Sequence, residues 1–477
     1  MVILMYNFFE RGLIMKSKLF KAVALALAAL TVLSCLSVGA FAQESYTIES
    51  PYEKVVWEGE NAWGAYKGSL HSHSTYSDAT ETLSTMVKEA YYQDYDFLCV
   101  SDHGITGVEW NKTPDMQLLY YYQPIIGYTY EHLTDEEYAA ITSGSYPLEN
   151  GQPRNKPMTC ITGGNEFNYI SLTKNHVNGH FLPADKGNGF PGGENEYGYE
   201  QAVKYIHENG GLSYINHPGD WLQTNQNHDA VNDEENIKFF GDLILKYSSC
   251  LGMEVFNEEN GTTGYDRILW DNLLMYCLPY GKTIIGFSNT DAHEKETVDS
   301  SFSVFMMEKN DVDHIRETMQ TGTSFMVTRK IRKNETLGPA EDIDVMKSGL
   351  PYPMFKSLTV DNHSVSISAV DCHTVKWIAN GEIIAEKTIE EGETVLNHTI
   401  DLDALETVKN PAELEYVRAE LYGEGGLCLS QALVIDNGEA DLKFEAEERS
   451  LLDNFILYFK STKLWAIINE LILLIND

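Results

Sequence analysis

Apolar positions along the chain change their period twice. From about 67 to 322, short apolar runs alternate with stretches of helical spacing. The segment 68–73 reads as a strand running into a loop, 83–92 as a helix, and 95–103 as a strand ending in Ser101-Asp102-His103. Further strands are expected at 158–167, 176–182, 212–216, 253–257 and 283–288, and helices at 199–209, 236–247, 265–276 and 312–321. Such alternation predicts parallel strands with crossover helices, in enough units for a barrel as readily as an open sheet. In barrels the reactive residues gather at the C-terminal strand ends. Most of the unusual polar residues here stand at the end of an apolar run.

From 355 to about 444 the period falls to two, with Asn380-Gly381 as a hairpin signal. This predicts a small antiparallel β-sandwich whose role is structural packing. The last stretch, 451–475, is apolar at helical spacing but interrupted by Lys460, Lys463, Asn469 and Glu470, which makes it a poor membrane span. It is expected to dock on its own protein, on a second subunit or on a membrane surface. The segment 104–156 breaks the strand–helix rhythm and is rich in aromatics (Trp110, Tyr120, Tyr121, Tyr122, Tyr128, Tyr130). It reads either as a wall or lid over a site or as a packed surface excursion.

The N-terminal pattern is of a different kind. A basic start from Met15 to Lys21, an apolar run from Ala22 to Val38 and Ala40-Phe41-Ala42 before Gln43 have the order of a secretory signal peptide. The expectation is a signal over 1–42, with Met15 as an alternative start, and a secreted or cell-surface protein. The remaining parts are then 55–335, a catalytic domain; 350–445, the β-domain; and 450–477, the terminal helix.

With 477 residues, 43% of them apolar, the composition is globular and large enough for two or three domains. A formal charge of -37 argues against nucleic acid as a partner, since no Lys/Arg-rich stripe reverses it. Of seven cysteines, Cys35 lies in the signal. The other six form no CxxC pair, so they read as buried thiols, although an exported protein also permits disulfides.

The chemistry lies in six polar knots: His71-Ser-His73 with Asp78, Ser101-Asp102-His103, Gly163-Gly-Asn-Glu166, His176-Val-Asn-Gly179, Asn216-His217-Pro-Gly219, and Asp291-Ala-His293. Two histidines one residue apart on an extended segment point their rings the same way. Mixed imidazoles and carboxylates suit Zn, Mn or Fe without thiolates. One knot is weak evidence, but six in order on successive strand ends are not easily structural. No G-x-S-x-G elbow is present to suggest a serine nucleophile.

The ordered set HSHSTYSD, SDH, GNE, HVNG, NHPG and NTDAH resembles the PHP (polymerase and histidinol phosphatase) superfamily over about residues 65–330. The signal and trailing β-domain are closer to its carbaryl-hydrolase-like secreted branch. The resemblance implies an α/β fold, a distorted (β/α)7 barrel, with two or three divalent metal ions. It implies His71, His73, Glu166 and Asp291 as a first metal site and Asp78, His103 and His293 as a second. Glu166 would bridge to a third with His176 and His217, with His180 as the alternative to His176. His103, His217 and Asp102 are the residues expected near the reaction, Asp102 by orienting His103. His217 and His180 are candidate proton donors. The expected activity is a phosphoesterase acting on a small anionic phosphate ester through a metal-activated water. Alternatives are a hydrolase of carboxylic or carbamate esters and a non-catalytic, metal-stabilised binding protein. Lys67, Lys174 and Arg267 are candidates to meet a phosphate.

Overall fold

Helix boundaries follow local capping chemistry. At Leu83–Tyr92 the Thr82 side chain accepts the N–H of Thr85, and Leu83, Met86, Val87 and Ala90 place an i, i+3, i+4, i+7 stripe in the core. At Val312–Thr321, Asp311 caps the first turn, Ile315 and Met319 are buried, and Gly322 ends the helix with a left-handed φ of 69°. The computed structural model describes residues 46–115, 129–167, 174–188, 195–257, 263–330, 349–446 and 449–460. The expected signal peptide, Tyr120, Tyr121, Tyr122 and Tyr128 of the aromatic segment, and residues 461–477 lie outside these.

In chain order the first strands are β1 (Thr47–Glu49), β2 (Gly64–Ser69), β3 (Phe97–Cys99), β4 (Thr159–Ile161), β5 (Asn165–Phe167), β6 (Val177–His180), β7 (Leu212–Ile215), β8 (Cys250–Phe256) and β9 (Ile285–Ser288). There follow β10 (Ser301–Met307), β11 (Ser324–Thr328), β12 (Met354–Asp361), β13 (Ser364–Val370), β14 (Thr374–Ala379), β15 (Glu382–Thr388) and β16 (Val395–Asp401). The last are β17 (Tyr416–Gly423), β18 (Gly426–Ser430) and β19 (Leu433–Asp436). One sheet runs β5-β6-β7-β8-β9 and another β12-β13-β16. The largest runs β1-β19-β17-β18-β11-β10-β2-β3-β4, with β14 joining β17 to β15.

The protein is therefore a mixed α/β structure with several sheets. Strands β2-β3-β4 and β7-β8-β9 are parallel, as the alternation predicts. However, β5-β6 and β6-β7 are antiparallel, as are β2-β10 and β10-β11. The link from Phe167 to Val177 is shorter than the dozen or so residues a parallel crossover needs. The strand expected at 158–167 is two strands in two different sheets. It breaks at Gly163-Gly164, where a Cβ on Gly164 would lie 2.1 Å from Cys99 Sγ. Among the described residues, the hydrogen bonds record two sheets joined by two parallel bridges, Ser72 to Ala292 and His103 to Glu166.

The period-two runs fall in β12, β13, β14 and β17, and Asn380-Gly381 sits between β14 and β15, but β16, β18 and β19 carry no such mark and no pairing is specified. Five of the C-terminal strands, β14, β15, β17, β18 and β19, belong to the largest sheet, β18 pairing directly with β11. From Thr47 onward the described residues cluster as one compact unit. A buried ionic network reinforces the join. On helix Asp266–Cys277, Asp271 accepts from Arg418 Nε (2.8 Å) and Nη2 (2.7 Å), and Arg267 donates to Glu420 Oε2 at 3.1 Å. Arg418 Nη1 reaches the other Glu420 oxygen at 2.6 Å. Burial alone would raise the Glu420 pKa, but Arg267 and Arg418 outweigh it and hold it down at about 2. An unfolded Glu titrates near ~4.3. The stabilisation is therefore complete above that pH and fades as the pH falls towards 2. Glu420→Gln is expected to cost about 3–5 kcal/mol at pH 7, as for a broken buried pair. The gap to wild type should narrow below about pH 4, as followed by denaturant unfolding.

Among the described residues, no helix is long and apolar enough to cross a membrane. Helix Leu451–Lys460 exposes Leu451, Leu452 and Phe455, while Tyr458 meets Tyr197 and Arg449 pairs with Glu200. The six cysteines from Cys99 onward are free thiols.

Candidate metal centre

Loops at the strand ends deliver the site. Beyond β2, His71 and His73 are pinned by backbone bonds to the segment beyond β9: Asp291 N–H donates to His71 O (3.1 Å) and His73 N–H to Ala292 O (3.0 Å). Glu166, on β5, is seated by its N–H to Ser101 O at 3.0 Å, beside the end of β3. His217 precedes the short helix Pro218–Leu222 with φ 24°, and Asp291 has φ 49°. Such backbone costs roughly 1–3 kcal/mol per non-glycine residue and tends to cluster at functional sites.

Four donor atoms converge most tightly. His71 Nε2 lies 3.1 Å from His73 Nε2, 3.2 Å from Glu166 Oε2 and 3.1 Å from Asp291 Oδ1. His73 Nε2 lies 3.0 Å from each of those oxygens. A tetrahedron of ligands at ordinary zinc distances has edges of roughly 3.3 Å, so this donor set fits a divalent cation. Two imidazole nitrogens facing each other at this distance also require a proton or a cation between them.

A second group is Asp78 with His293 Nε2 at 3.4 Å, His103 Nε2 at 3.3 Å and His73 Nδ1 at 3.6 Å. A third forms around Glu166: His176 Nδ1 at 3.0 Å and His217 Nε2 at 3.3 Å from Oε1, and His103 Nδ1 at 3.3 Å from Oε2. All nine residues expected as metal ligands are brought together. The side chains of Asp78 and His293 are 17% and 32% exposed, whereas His71 and His73 are sealed, so the site opens on the Asp78–His293 side.

The field is strongly negative. Burial opposes the charged forms of His71 and His73, but Asp291 and Glu166 outweigh it and raise both pKa values well above the usual range. His217 is pushed up to about 9 against its burial, mainly by Glu166 and Asp291. Glu166, Asp78 and Asp291 are correspondingly held well below the carboxylate range by the surrounding imidazoles, despite burial. Groups that draw protons so strongly draw metal cations for the same reason.

His180 stays apart. It is fully buried, stacks on Tyr214 with ring centres 5.3 Å apart, and burial pushes its pKa down to about 3. That isolation also removes it as a proton donor to substrate. Asp102 faces the loop after β2 with its side-chain oxygens. It accepts from Ser74 N–H (2.8 Å), Ser74 Oγ (2.6 Å) and Ser77 Oγ (2.6 Å), and Ser77 Oγ lies 3.3 Å from His73 Nδ1. Its influence therefore runs through Ser77 to His73.

Of the expected phosphate-binding cations, Lys67 is tied to Asp299 and to Gln93 O, and Arg267 to Glu420, both away from the centre. Lys174 is half-exposed and pairs with Asp220 at 3.0 Å, between the His176 and His217 segments. In the aromatic segment Trp110 is buried, while Tyr130 stacks on Tyr76 (5.3 Å) and Thr129 O accepts from Thr75 Oγ1 (2.7 Å), so this segment packs on the Asp78 loop. Sequence reading missed the amides and the carboxylate behind the imidazoles. Asn216 Nδ2 donates to Glu166 Oε1 at 2.7 Å, Asn257 and Asn289 line the interior, and Glu254 sits 2.8 Å from His71 Nδ1. Asn216 adjoins a noticed histidine; Glu254 lies inside an apolar run and gave no signal.

No protein-family model matches the sequence, nor does any curated protein. Solved structures do. One is a two-domain protein containing a predicted PHP-like metal-dependent phosphoesterase from Bacteroides vulgatus, 14% identical over 80% of this chain and 98% of that one, with a TM-score of 0.39. Another is a putative metal-dependent phosphoesterase from Bifidobacterium adolescentis, 13% identical over 55% of this chain and 98% of that one, TM-score 0.28. A third is a lesion-specific endonuclease from Pyrococcus furiosus, 13% identical over 54% and 56% of the two chains, TM-score 0.29.

Proposed function

We propose that this chain is a metal-dependent hydrolase of small phosphate esters, exported by its N-terminal signal. The observation that carries the reading is the set of five contacts of 3.0–3.2 Å among His71, His73, Glu166 and Asp291. These four would hold one divalent cation, Asp78, His103 and His293 a second, and Glu166 with His176 and His217 a third. Cations so held would activate a water as nucleophile and neutralise charge developing on the phosphoryl oxygens. Zn, Mn and Fe all suit this donor set. The chain supplies the rest. Burial of His71 and His73 keeps bulk water from the inner donors, and the Asp78–His293 side admits substrate. Lys174, paired with Asp220, would be the cation to meet an anion. The net charge of -37 disfavours nucleic acid and favours a small substrate drawn by the local centre.

The test is a panel of aryl phosphomonoesters, phosphodiesters, carboxylic esters and carbamates, with protein loaded in turn with each metal. Hydrolysis of a phosphate ester, lost in a folded His71→Ala variant, is the expected result. Turnover of carboxylic or carbamate esters alone would move the assignment to that class. A fully metallated protein inert to the whole panel would leave a binding role.

A further inference from the structure

Glu254 lies in the middle of β8, a strand buried along its whole length, and its own side chain is inaccessible. A carboxylate placed there is costly unless every lone pair is used and the charge is balanced. Four donors meet it. Oε1 receives His71 Nδ1 at 2.8 Å and Asn289 Nδ2 at 3.0 Å; Oε2 receives the His217 backbone N–H at 3.1 Å and Asn257 Nδ2 at 2.8 Å. Each carboxylate oxygen thus meets two nitrogens. No Lys or Arg is among these four partners, and His71 is the one of them whose side chain belongs to the first donor group.

We propose that Glu254 is a positioning residue of the metal centre. It fixes His71 as the Nδ1–H tautomer, so that the Nε2 lone pair faces Glu166 and Asp291. It also ties the first donor group to the third through the backbone of His217, whose φ of 24° it helps to hold. A carboxylate behind a ligating imidazole raises its basicity and fixes its ring. This inference rests on the metal-dependent reading above. A buried carboxylate that served only the core would hold the fold equally with and without metal, which separates the two roles.

The experiment compares wild type, Glu254→Gln and His71→Ala for bound metal per chain, affinity by chelator competition, and melting temperature with and without added Zn. Gln keeps the shape but turns an N–H2 towards two of the four donors. The expected result is about 10- to 100-fold weaker affinity for part of the bound metal. The metal-free melting temperature should fall by less than the Zn-loaded one, so the rise on adding Zn should shrink. Wild-type affinity in Glu254→Gln would overturn the assignment, as would an equal fall of both melting temperatures. Wild type that binds no metal would instead overturn the metal centre itself. Should Glu254→Gln fail to fold, ring-15N spectra of Zn-loaded wild type decide, with the His71 signal assigned by its loss in His71→Gln. An Nδ1–H ring supports the proposal and an Nε2–H ring refutes it.

Discussion

Glu166→Gln is expected to lower hydrolysis by at least about 10³-fold, the scale of losing a preorganised electrostatic partner in a water-excluded site. The reason is geometric. Oε2 lies 3.0–3.3 Å from His71, His73 and His103, and Oε1 lies 3.0 Å from His176 and 3.3 Å from His217. One carboxylate therefore serves two donor groups, one with each oxygen. Glutamine would preserve the volume and the Asn216 contact but remove the charge and place an N–H2 where a lone pair is needed. Bound metal per chain should fall together with turnover. Steady-state kinetics beside metal analysis checks this; a variant with full metal content and near-normal kcat would show that Glu166 bridges nothing.

Stripping metal is expected to abolish activity and to destabilise the fold. A ligand at a thousand times its Kd stabilises the native state by about 4 kcal/mol per site. Without cations, Glu166, Asp78 and Asp291 are left to imidazole partners, which protonate to imidazolium as the pH falls. Metal uptake should therefore weaken progressively as the pH falls through about 9, where His217 of the metal-free protein takes up its proton, since a protonated imidazole cannot ligate. Denaturant midpoints with and without a chelator, at pH 8 and pH 6, measure both effects. Identical midpoints under all four conditions, with activity retained, would remove the basis for the proposed function.

Local chemistry was legible residue by residue. The spacing of His71 and His73 placed both rings on one side of an extended segment, and their Nε2 atoms do meet at 3.1 Å. Asn380-Gly381 announced a hairpin, and both residues have left-handed φ, 47° and 79°, between β14 and β15. Helix 83–92 could be read from its apolar stripe. These features depend on neighbours within a few positions, where period and capping are set by the backbone itself.

Partnership across long separations had no such local record. Glu254 is hidden in a run that reads as pure core, and its role appears only when His71, 183 positions away, turns Nδ1 towards it. Asp102 adjoins His103 in the chain, and its side chain also reaches towards His73 through Ser77, because the loop after β2 folds back over the end of β3. Strands β12, β13, β14 and β17 were visible as strands, but alternation specifies a buried face, not the edge a strand will pair with, and β14 pairs with β17. Composition and spacing name the donors a metal centre can draw upon. Which atoms meet is decided by sheet order and by strained turns such as those at His217 and Asp291, whose energies are met by packing far from the residues that bear them.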